Sequence, residues 1–130
     1  MSQRTFLLCA AAAYGILGVA LLLFPGFVMA PFGVSLDAPG EVMTRILGGG
    51  LASMAMLFWW VRDSRDRTTT AIIRSQAISN LVGVIALAAA IAAGIVDWAG
   101  VAPLALHVVL AFGFWVLGFG WSAAQAPQGR

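Results

Sequence analysis

Long apolar stretches alternate with short polar segments along the chain. Residues 5–36, 46–61 and 75–96 contain no charged side chain, and residues 98–129 contain only one titratable group, a histidine. A helix needs roughly 20 apolar residues to cross the hydrocarbon core of a bilayer. Each stretch except the second exceeds that length, and the second reaches it once the flanking polar residues are included. The pattern therefore predicts four membrane-spanning helices.

Prolines, glycines and capping residues set the ends of these spans. Asp37 and Pro39 suit the start of the second span, and Thr68–Thr70 supplies hydroxyl caps for the third. The predicted spans cover residues 5–24, 41–61, 71–96 and 103–122. We therefore expect an all-α integral membrane protein, a four-helix bundle within residues 1–122, followed by a disordered tail over residues 123–130.

A weak internal repeat suggests that the bundle is a duplicated two-helix hairpin. Arg45 lies 14 residues before Trp59, and His107 lies 14 residues before Trp121. The preceding spans share related sequences, Gly-Val-Ala-Leu and Gly-Val-Ile-Ala-Leu, at residues 18–21 and 83–87. A duplication of this kind would give two halves related by an axis along the membrane normal, as in parallel transporter repeats.

The composition supports a membrane environment. Hydrophobic residues make up 62% of the 130 residues and charged residues only 9%, with a mean hydropathy of +0.97. A soluble domain carries about a quarter charged residues, and a disordered chain lacks this apolar content. The arginines form no basic run interleaved with aromatic residues, so nucleic acid is not an expected partner. The expected partner is the lipid bilayer.

Charge is distributed unevenly between the two ends of the spans. One end collects arginines, at Arg4, Arg62, Arg65, Arg67 and Arg130, with Arg74 just inside the third predicted span. The other end carries mainly acids, at Asp37, Glu41 and Asp97, beside one arginine, Arg45. The positive-inside rule then predicts cytoplasmic N- and C-termini.

A cleavable signal peptide is the main alternative for the first span. A signal peptide has a basic region, an apolar region and a cleavage site, and these are resembled by Arg4, the apolar run and Val28-Met-Ala30. The apolar run is longer than a signal peptide requires, and a single arginine is a weak basic region. We therefore expect the first span to be retained.

Small residues offer helix–helix contacts, on which packing in lipid depends. Gly18 in the first span, Gly48-Gly-Gly50 in the second and Gly83 in the third are the main candidates. We expect Gly49 and Gly83 to lie where helices touch. Alternatively, one glycine face binds a second protomer, giving a homo-oligomer, or a larger membrane partner.

Four ionisable residues form a candidate binding cluster at the acidic end. Only 16 uncharged residues separate Arg45 from Arg62, about 24 Å of helix, so Arg45 is expected below the outer interface. Glu41 is one turn before Arg45 on the same face, and His107 lies at a similar depth, with Asp97 above. Ionisable groups in a membrane are costly and often functional. The structural alternative is an ion pair plus an interfacial histidine.

A second polar set lies nearer the arginine-rich end. Gln76 and Asn80 share one face of the third span, with Arg74 below them. An unsatisfied amide in hydrocarbon costs several kcal/mol, so Asn80 requires a partner, and Tyr14 of the first span is a candidate. Hydrogen bonding between helices is sufficient to explain this set.

Several kinds of chemistry are excluded by the residues present. One histidine and one cysteine cannot assemble a zinc, haem or iron–sulfur site within a single chain. The sequence contains no G-x-S-x-G, P-loop or H-E-x-x-H motif. No metal and no cofactor are therefore expected.

The sequence resembles the DoxX-like set of small bacterial membrane proteins. The second span opens with Arg-Ile-Leu-Gly-Gly-Gly-Leu and closes with Trp-Trp-Val-Arg-Asp, and Arg45, Gly48 and Gly49 match an R-x-x-G-G pattern of relatives in that set. The resemblance implies a four-helix inner-membrane bundle of accessory or uncharacterised role. It carries over no catalytic residue.

Three functional hypotheses follow. The first is a small inner-membrane protein, not an enzyme, that acts as an accessory subunit or binds a hydrophobic small molecule between its helices. The second is a membrane-embedded enzyme acting on a lipid, quinone or isoprenoid through the cluster of Glu41, Arg45 and His107. The third is a component of an oligomeric transporter, since four helices enclose little volume.

Overall fold

Four long helices make up most of the chain. The computed structural model describes residues 1–120, and within that range it is all-α, without a strand. Four helical segments are long and apolar enough to cross a membrane, at Gln3–Leu23, Ala38–Val61, Arg67–Ala92 and Trp98–Gly120. These are α1 (Gln3–Leu23), α3 (Ala38–Val61), α4 (Arg67–Ala92) and α5 (Val101–Trp115), which continues as a π-helical turn over Val116–Gly120. The all-α prediction with four spans is confirmed.

Capping side chains explain where three of these helices begin. Ser2 accepts a hydrogen bond from the amide of Thr5 at 3.2 Å, so α1 begins earlier than predicted. Asp37 accepts from the amide of Gly40 at 2.8 Å and caps α3, as predicted, although α3 starts at Ala38. At α4 the cap is Asp66 rather than the predicted threonines. Helix ends thus follow the first side chain able to bind a free amide.

The ends of the third and fourth spans also differ from the prediction. α4 stops at Ala92, where the predicted span ran on to residue 96, and Gly94 follows with a φ of 69°. α5 begins at Val101, two residues before the predicted start. The predicted end near residue 122 and the predicted tail lie outside the described residues.

The segment between α1 and α3 is partly helical. Pro25 has no amide hydrogen and ends α1, and a short helix α2 (Pro25–Met29) and a 3₁₀ turn (Ala30–Phe32) follow. Gly33 has a φ of 73°, in the left-handed region that favours glycine. The chain thereby turns back towards α3.

The helices divide into two compact units. The first unit consists of Met1–Asp63 together with Val96–Ala99, and we call its α1–α3 pair the first hairpin. The second consists of Ser64–Ile95 and the residues from Gly100, and we call its α4–α5 pair the second hairpin. Two hairpins in series are the arrangement that a duplication requires, and the duplication itself stays a hypothesis.

Two glycines let the backbones of the first hairpin approach closely. A Cβ atom added at Gly48 would lie 2.6 Å from the amide nitrogen of Leu22 and 2.7 Å from the carbonyl oxygen of Gly18. A Cβ added at Gly18 would lie 2.6 Å from the amide nitrogen of Ala52. No larger residue fits at either position without moving a helix. The predicted contact at Gly18 and within the glycine run is confirmed.

The glycine of that run that makes the contact is Gly48, not Gly49. A Cβ added at Gly49 or Gly50 would meet nothing within 4 Å in the first hairpin. Successive residues of an α-helix are rotated by about 100°, so only one of three adjacent glycines can face α1. The expectation that Gly49 lies at a helix contact was wrong.

The second hairpin packs through Gly83 and Gly118. A Cβ added at Gly83 would lie 2.8 Å from Nε2 of His107, so the imidazole ring occupies the space that the missing side chain leaves. A Cβ added at Gly118 would lie 3.0 Å from Cγ of Arg74. The predicted helix contact at Gly83 is confirmed.

Large apolar side chains cover the outside of the chain. Ile16 is 74% exposed, Phe27 81% and Phe112 70%, whereas the buried core contains few large residues, chiefly Leu7, Phe58 and Phe114. Exposed apolar area of this extent is not stable in water. Together with the four long apolar helices, it is suited to a lipid bilayer.

Candidate functional site

Arg45 binds the carboxyl end of α1. Its Nη1 atom donates a hydrogen bond to the carbonyl oxygen of Leu22 at 2.6 Å and approaches that of Leu23 at 3.5 Å. Helices leave their last carbonyls without an intrahelical partner, and Pro25 removes a further donor here. A cation at this end also complements the helix dipole. Arg45 therefore fastens α3 to the end of α1.

Glu41 supports Arg45 from one turn earlier in α3. Its Oε2 atom lies 3.7 Å from Nη2 of Arg45, and about half of each side chain is exposed. Glu41 also sits in the first turn of α3, where a negative charge is favoured by the helix dipole. The predicted pairing of these two residues is confirmed. The arrangement is one carboxylate, one guanidinium and the backbone carbonyls of α1.

Asp97 lies in the first unit at the turn before α5. Its Oδ1 atom accepts a hydrogen bond from the amide of Ala99 at 2.9 Å. Its own amide donates to the carbonyl oxygen of Phe32 at 3.5 Å, and a Cβ added at Gly33 would lie 3.2 Å from its Oδ2 atom. These contacts make Asp97 a turn-forming residue that faces the left-handed Gly33.

His107 belongs to the second hairpin and is half-buried. Its Nδ1 atom lies 2.8 Å from the carbonyl oxygen of Pro103, one turn earlier in α5. Because a carbonyl oxygen only accepts, Nδ1 is the donor of this hydrogen bond. The ring packs over Gly83. The predicted meeting of His107 with Glu41 and Arg45 stays a prediction.

The second polar set is held by backbone carbonyls within the second hairpin. Arg74 donates from Nε to the carbonyl oxygen of Gly118 at 2.8 Å, with its guanidinium carbon 5.0 Å from the ring centre of Phe119. Asn80 is 2% exposed, and its Nδ2 atom donates to the carbonyl oxygen of Gln76 at 2.8 Å. Within residues 1–120, no buried side-chain nitrogen or oxygen lacks a partner.

Tyr14 belongs to the first hairpin. Its ring meets that of Phe58 edge to face, with 5.4 Å between ring centres and an interplanar angle of 87°. Such a contact contributes about 0.5–1.5 kcal/mol beyond burial alone. The proposed partnership between Tyr14 and Asn80 stays a prediction.

An apolar groove of about 350 Å³ runs between α1 and α3 of the first hairpin. Its walls are almost entirely apolar and consist of Leu8, Ala11, Ala12, Ala55, Met56, Trp59 and Trp60. The volume is at the lower end of the range for ligand pockets, about 300–1,000 Å³. Sequence reasoning did not find this groove because small alanines create it, and alanine gives no chemical signal. In the sequence, the adjacent Trp59-Trp60 pair is the only sign of this groove.

A cationic cluster lies at the tryptophan end of this groove. The guanidinium of Arg62 stacks on the ring of Trp59, 4.3 Å from its centre, and donates to the Trp59 carbonyl oxygen. Asp63 lies 3.4 Å from Arg62 and 3.3 Å from Arg4. Two arginines share one carboxylate, so the cluster has a net charge of +1.

The described residues 1–120 contain no group of three or more potential metal ligands. The nearest approach to a chemical site is the pair Glu41–Arg45, whose hydrogen bonds go to the backbone. The arrangement can bind a polar group at its exposed side, but within the first unit it presents no nucleophile beside a base.

Four apolar membrane-length helices, two hairpins and an outward-facing apolar surface define a multi-pass integral membrane protein. Over residues 8–127 the chain matches the family described as "Domain of unknown function (DUF8292)", and it belongs to that family. Comparisons with curated proteins and with solved structures gave no match.

Proposed function

We propose that this protein is a small multi-pass protein of a bacterial inner membrane that binds a lipophilic molecule in an accessory role and is not an enzyme. The observation that carries the proposal is the apolar groove of the first hairpin. Its walls are almost wholly apolar, so the ligand's buried part must be mainly hydrocarbon. The cation of Arg62 at the rim is placed to meet a polar head.

The outer polar residues support a non-enzymatic role. Arg45 donates to carbonyls of α1, and His107 donates to the carbonyl of Pro103. Both residues thus have a structural role, Arg45 as a tie between α1 and α3 and His107 as a ring packed over Gly83, and neither role requires a substrate.

The proposed location and orientation rest on the arginines. In the first unit, Arg4 and Arg62 lie at the same end and share Asp63. Asp37 and Glu41 begin α3 at the opposite end. Basic residues remain on the cytoplasmic side, so we propose cytoplasmic termini. The resemblance to DoxX-like proteins supports a bacterial inner membrane.

The test blocks the groove without touching the core. Ala12 is exposed and lines the groove, so Ala12→Phe fills it from the rim. Ile16, one turn further along α1, is 74% exposed and lies outside the groove, so Ile16→Phe is the matched control. Each protein is purified in a mild non-ionic detergent, and the retained lipophiles are identified by mass spectrometry.

We expect the wild-type protein and Ile16→Phe to retain the same chain-bearing compound above the level in the bulk detergent extract. Ala12→Phe should lose most of it while keeping its melting temperature. Equal retention by all three proteins, or no enrichment over the extract, would contradict the proposal.

A further inference from the structure

A second groove, of about 760 Å³, runs along the first three turns of α4 in the second unit. Its chemistry differs from that of the first-hairpin groove, because arginines line it. The residues that matter are Arg65, Arg67, Thr70, Arg74 and Ile78. The last four follow one another at three- or four-residue intervals, so they share one face of α4. We call this surface the basic groove.

The basic groove has a net positive charge. Three arginines line it against one acid, Asp66. The carboxylate of Asp66 is bound to the amino end of α4, where its Oδ1 atom accepts from the amide of Thr69 at 2.7 Å. Its negative charge therefore interacts mainly with the amino end of α4, and the three arginines determine the electrostatic potential of the groove.

Polarity changes along the basic groove in one direction. Arg65 and Arg67 lie at its outer end, where α4 begins, and Arg74 lies about 10 Å further along the helix. The innermost lining residue is the apolar Ile78, about 16 Å from Arg67 along the axis, with Ser75 one turn before it. Arg74 is fixed in this position by its bond to Gly118. A ligand that fits must be anionic at one end and apolar at the other.

We propose that the basic groove binds the headgroup phosphate and the upper acyl chain of an anionic phospholipid. α4 is long and apolar enough to span a membrane, so its first turns lie at the depth of lipid headgroups. Basic pockets at the ends of transmembrane helices on the cytoplasmic side recognise such headgroups. A soluble phosphate would use the arginines but gain nothing from Ile78. The inference does not depend on the first-hairpin groove.

The test adds defined lipids to the full-length protein in a mild non-ionic detergent and follows its melting temperature. The probes are phosphatidylglycerol, phosphatidylcholine and inorganic phosphate. We expect phosphatidylglycerol to raise the melting temperature at concentrations where the other two do not. Each arginine near a membrane surface changes lipid affinity about fivefold. Arg67→Gln should therefore weaken the apparent affinity for phosphatidylglycerol about fivefold, and Arg65→Gln/Arg67→Gln should weaken it further.

Arg4→Gln, made in the Ala12→Phe background that blocks the other groove, is the control, because it removes an exposed arginine from the first unit. It should leave the phosphatidylglycerol response unchanged. If Arg4→Gln weakened the apparent affinity for phosphatidylglycerol equally, net charge alone would explain the effect, and the proposal would be overturned. An equal response to phosphatidylcholine would show that the arginines do not recognise an anionic headgroup. An equal response to inorganic phosphate would show that the groove binds a soluble anion. Either result would overturn the proposal. Ala12→Phe, which blocks the other groove, should respond like the wild type.

Discussion

Arg45 shows how one charged residue is accommodated inside an apolar chain. A guanidinium has five donors and needs acceptors wherever water is scarce. The end of α1 needs donors, since Pro25 cannot supply one. The two requirements satisfy each other at the carbonyl oxygen of Leu22. The arginine of the R-x-x-G-G pattern thus has a structural explanation in this chain.

The first prediction tests which partner of Arg45, the carbonyl oxygen of Leu22 or the carboxylate of Glu41, contributes more to the free energy of unfolding. Arg45→Gln should lower the free energy of unfolding by about 1–3 kcal/mol, because a charged hydrogen bond to the end of α1 is lost. Glu41→Gln should cost about 0–1 kcal/mol, since a half-exposed ion pair contributes little. Unfolding is followed by thermal or denaturant titration in mild detergent.

The double variant Glu41→Gln/Arg45→Gln should match Arg45→Gln, because the bond to Leu22 is absent from both. The simple ion-pair hypothesis instead expects the double variant to recover part of the loss. Full recovery would show that the carboxylate, not the carbonyl, is the partner that matters.

Asp66 gives a prediction about pH at the start of α4. The hydrogen bond from the Thr69 amide lowers the pKa of the Asp66 carboxyl below its ordinary value. A lowered pKa means that the stabilisation is complete above the ordinary pKa and is lost as pH falls through the lowered one. Asp66→Asn keeps a capping oxygen without a titrating group. It should melt near the wild-type temperature at pH 7 and show a shallower loss of stability below about pH 4. An unchanged acid profile would contradict this role for Asp66.

At the scale of elements, each hairpin depends on close contacts at glycines. In the first hairpin the contact is backbone to backbone, at Gly18 and Gly48. In the second, side chains pack against glycines, chiefly His107 against Gly83. Helices in lipid have no hydrophobic driving force for association, so close packing at small residues carries much of it. The small-residue positions are therefore where substitutions should act most strongly.

The third prediction uses adjacent glycines with opposite expected effects. Gly48→Ala adds a methyl group 2.6 Å from a backbone nitrogen and should destabilise the protein by about 1–3 kcal/mol. Gly49→Ala adds the same group in open space and should stabilise α3 by about 0.5–1 kcal/mol, because glycine is a poor helix former. Melting temperatures in detergent measure both. If Gly48→Ala is as stable as Gly49→Ala, α1 and α3 do not cross at Gly48.

The fourth prediction tests whether His107 acts as a packing residue. Gly83→Ala should cost about 1–3 kcal/mol in the wild-type background, because its methyl group collides with the imidazole ring. In a His107→Ala background the same substitution should cost almost nothing. This coupling is measured by a double-mutant cycle of unfolding free energies. Additive effects would mean that the ring does not occupy the space beside Gly83.

The four spans could be predicted from sequence because each is a property of a continuous stretch, such as residues 75–96 without a charge. The sequence could not predict which face of each helix contacts its neighbour. Gly48 and Gly49 look alike in a run of three glycines, and only helical rotation relative to α1 distinguishes them. The bond from Arg45 to Leu22 was missed because its acceptor is a backbone atom. Ala11 and Ala55 likewise reveal no groove until their helices are paired.

At the scale of the whole molecule, charge is the feature that distinguishes the two ends of the spans. Of the six arginines within residues 1–120, five are predicted to lie on the cytoplasmic side, in the first turn of α1, between α3 and α4, or in the first turns of α4. Arg45 is the exception, and its bond to the end of α1 explains why it is tolerated on the other side. The orientation of the protein should therefore be fixed by its arginines rather than by any signal in the apolar segments.

The last prediction tests that orientation with single cysteines. Cys9 is replaced by alanine to leave one thiol per variant, and Ser2→Cys or Ser35→Cys is introduced at an exposed position on either side of α1. In intact cells a membrane-impermeant thiol reagent should label Ser35→Cys and not Ser2→Cys, because the arginine-rich end faces the cytoplasm. Permeabilised cells should label both, which controls for thiol reactivity. Labelling of Ser2→Cys alone in intact cells would show that the acidic end is cytoplasmic. The basic groove would then face outwards, where arginines are disfavoured by the same rule.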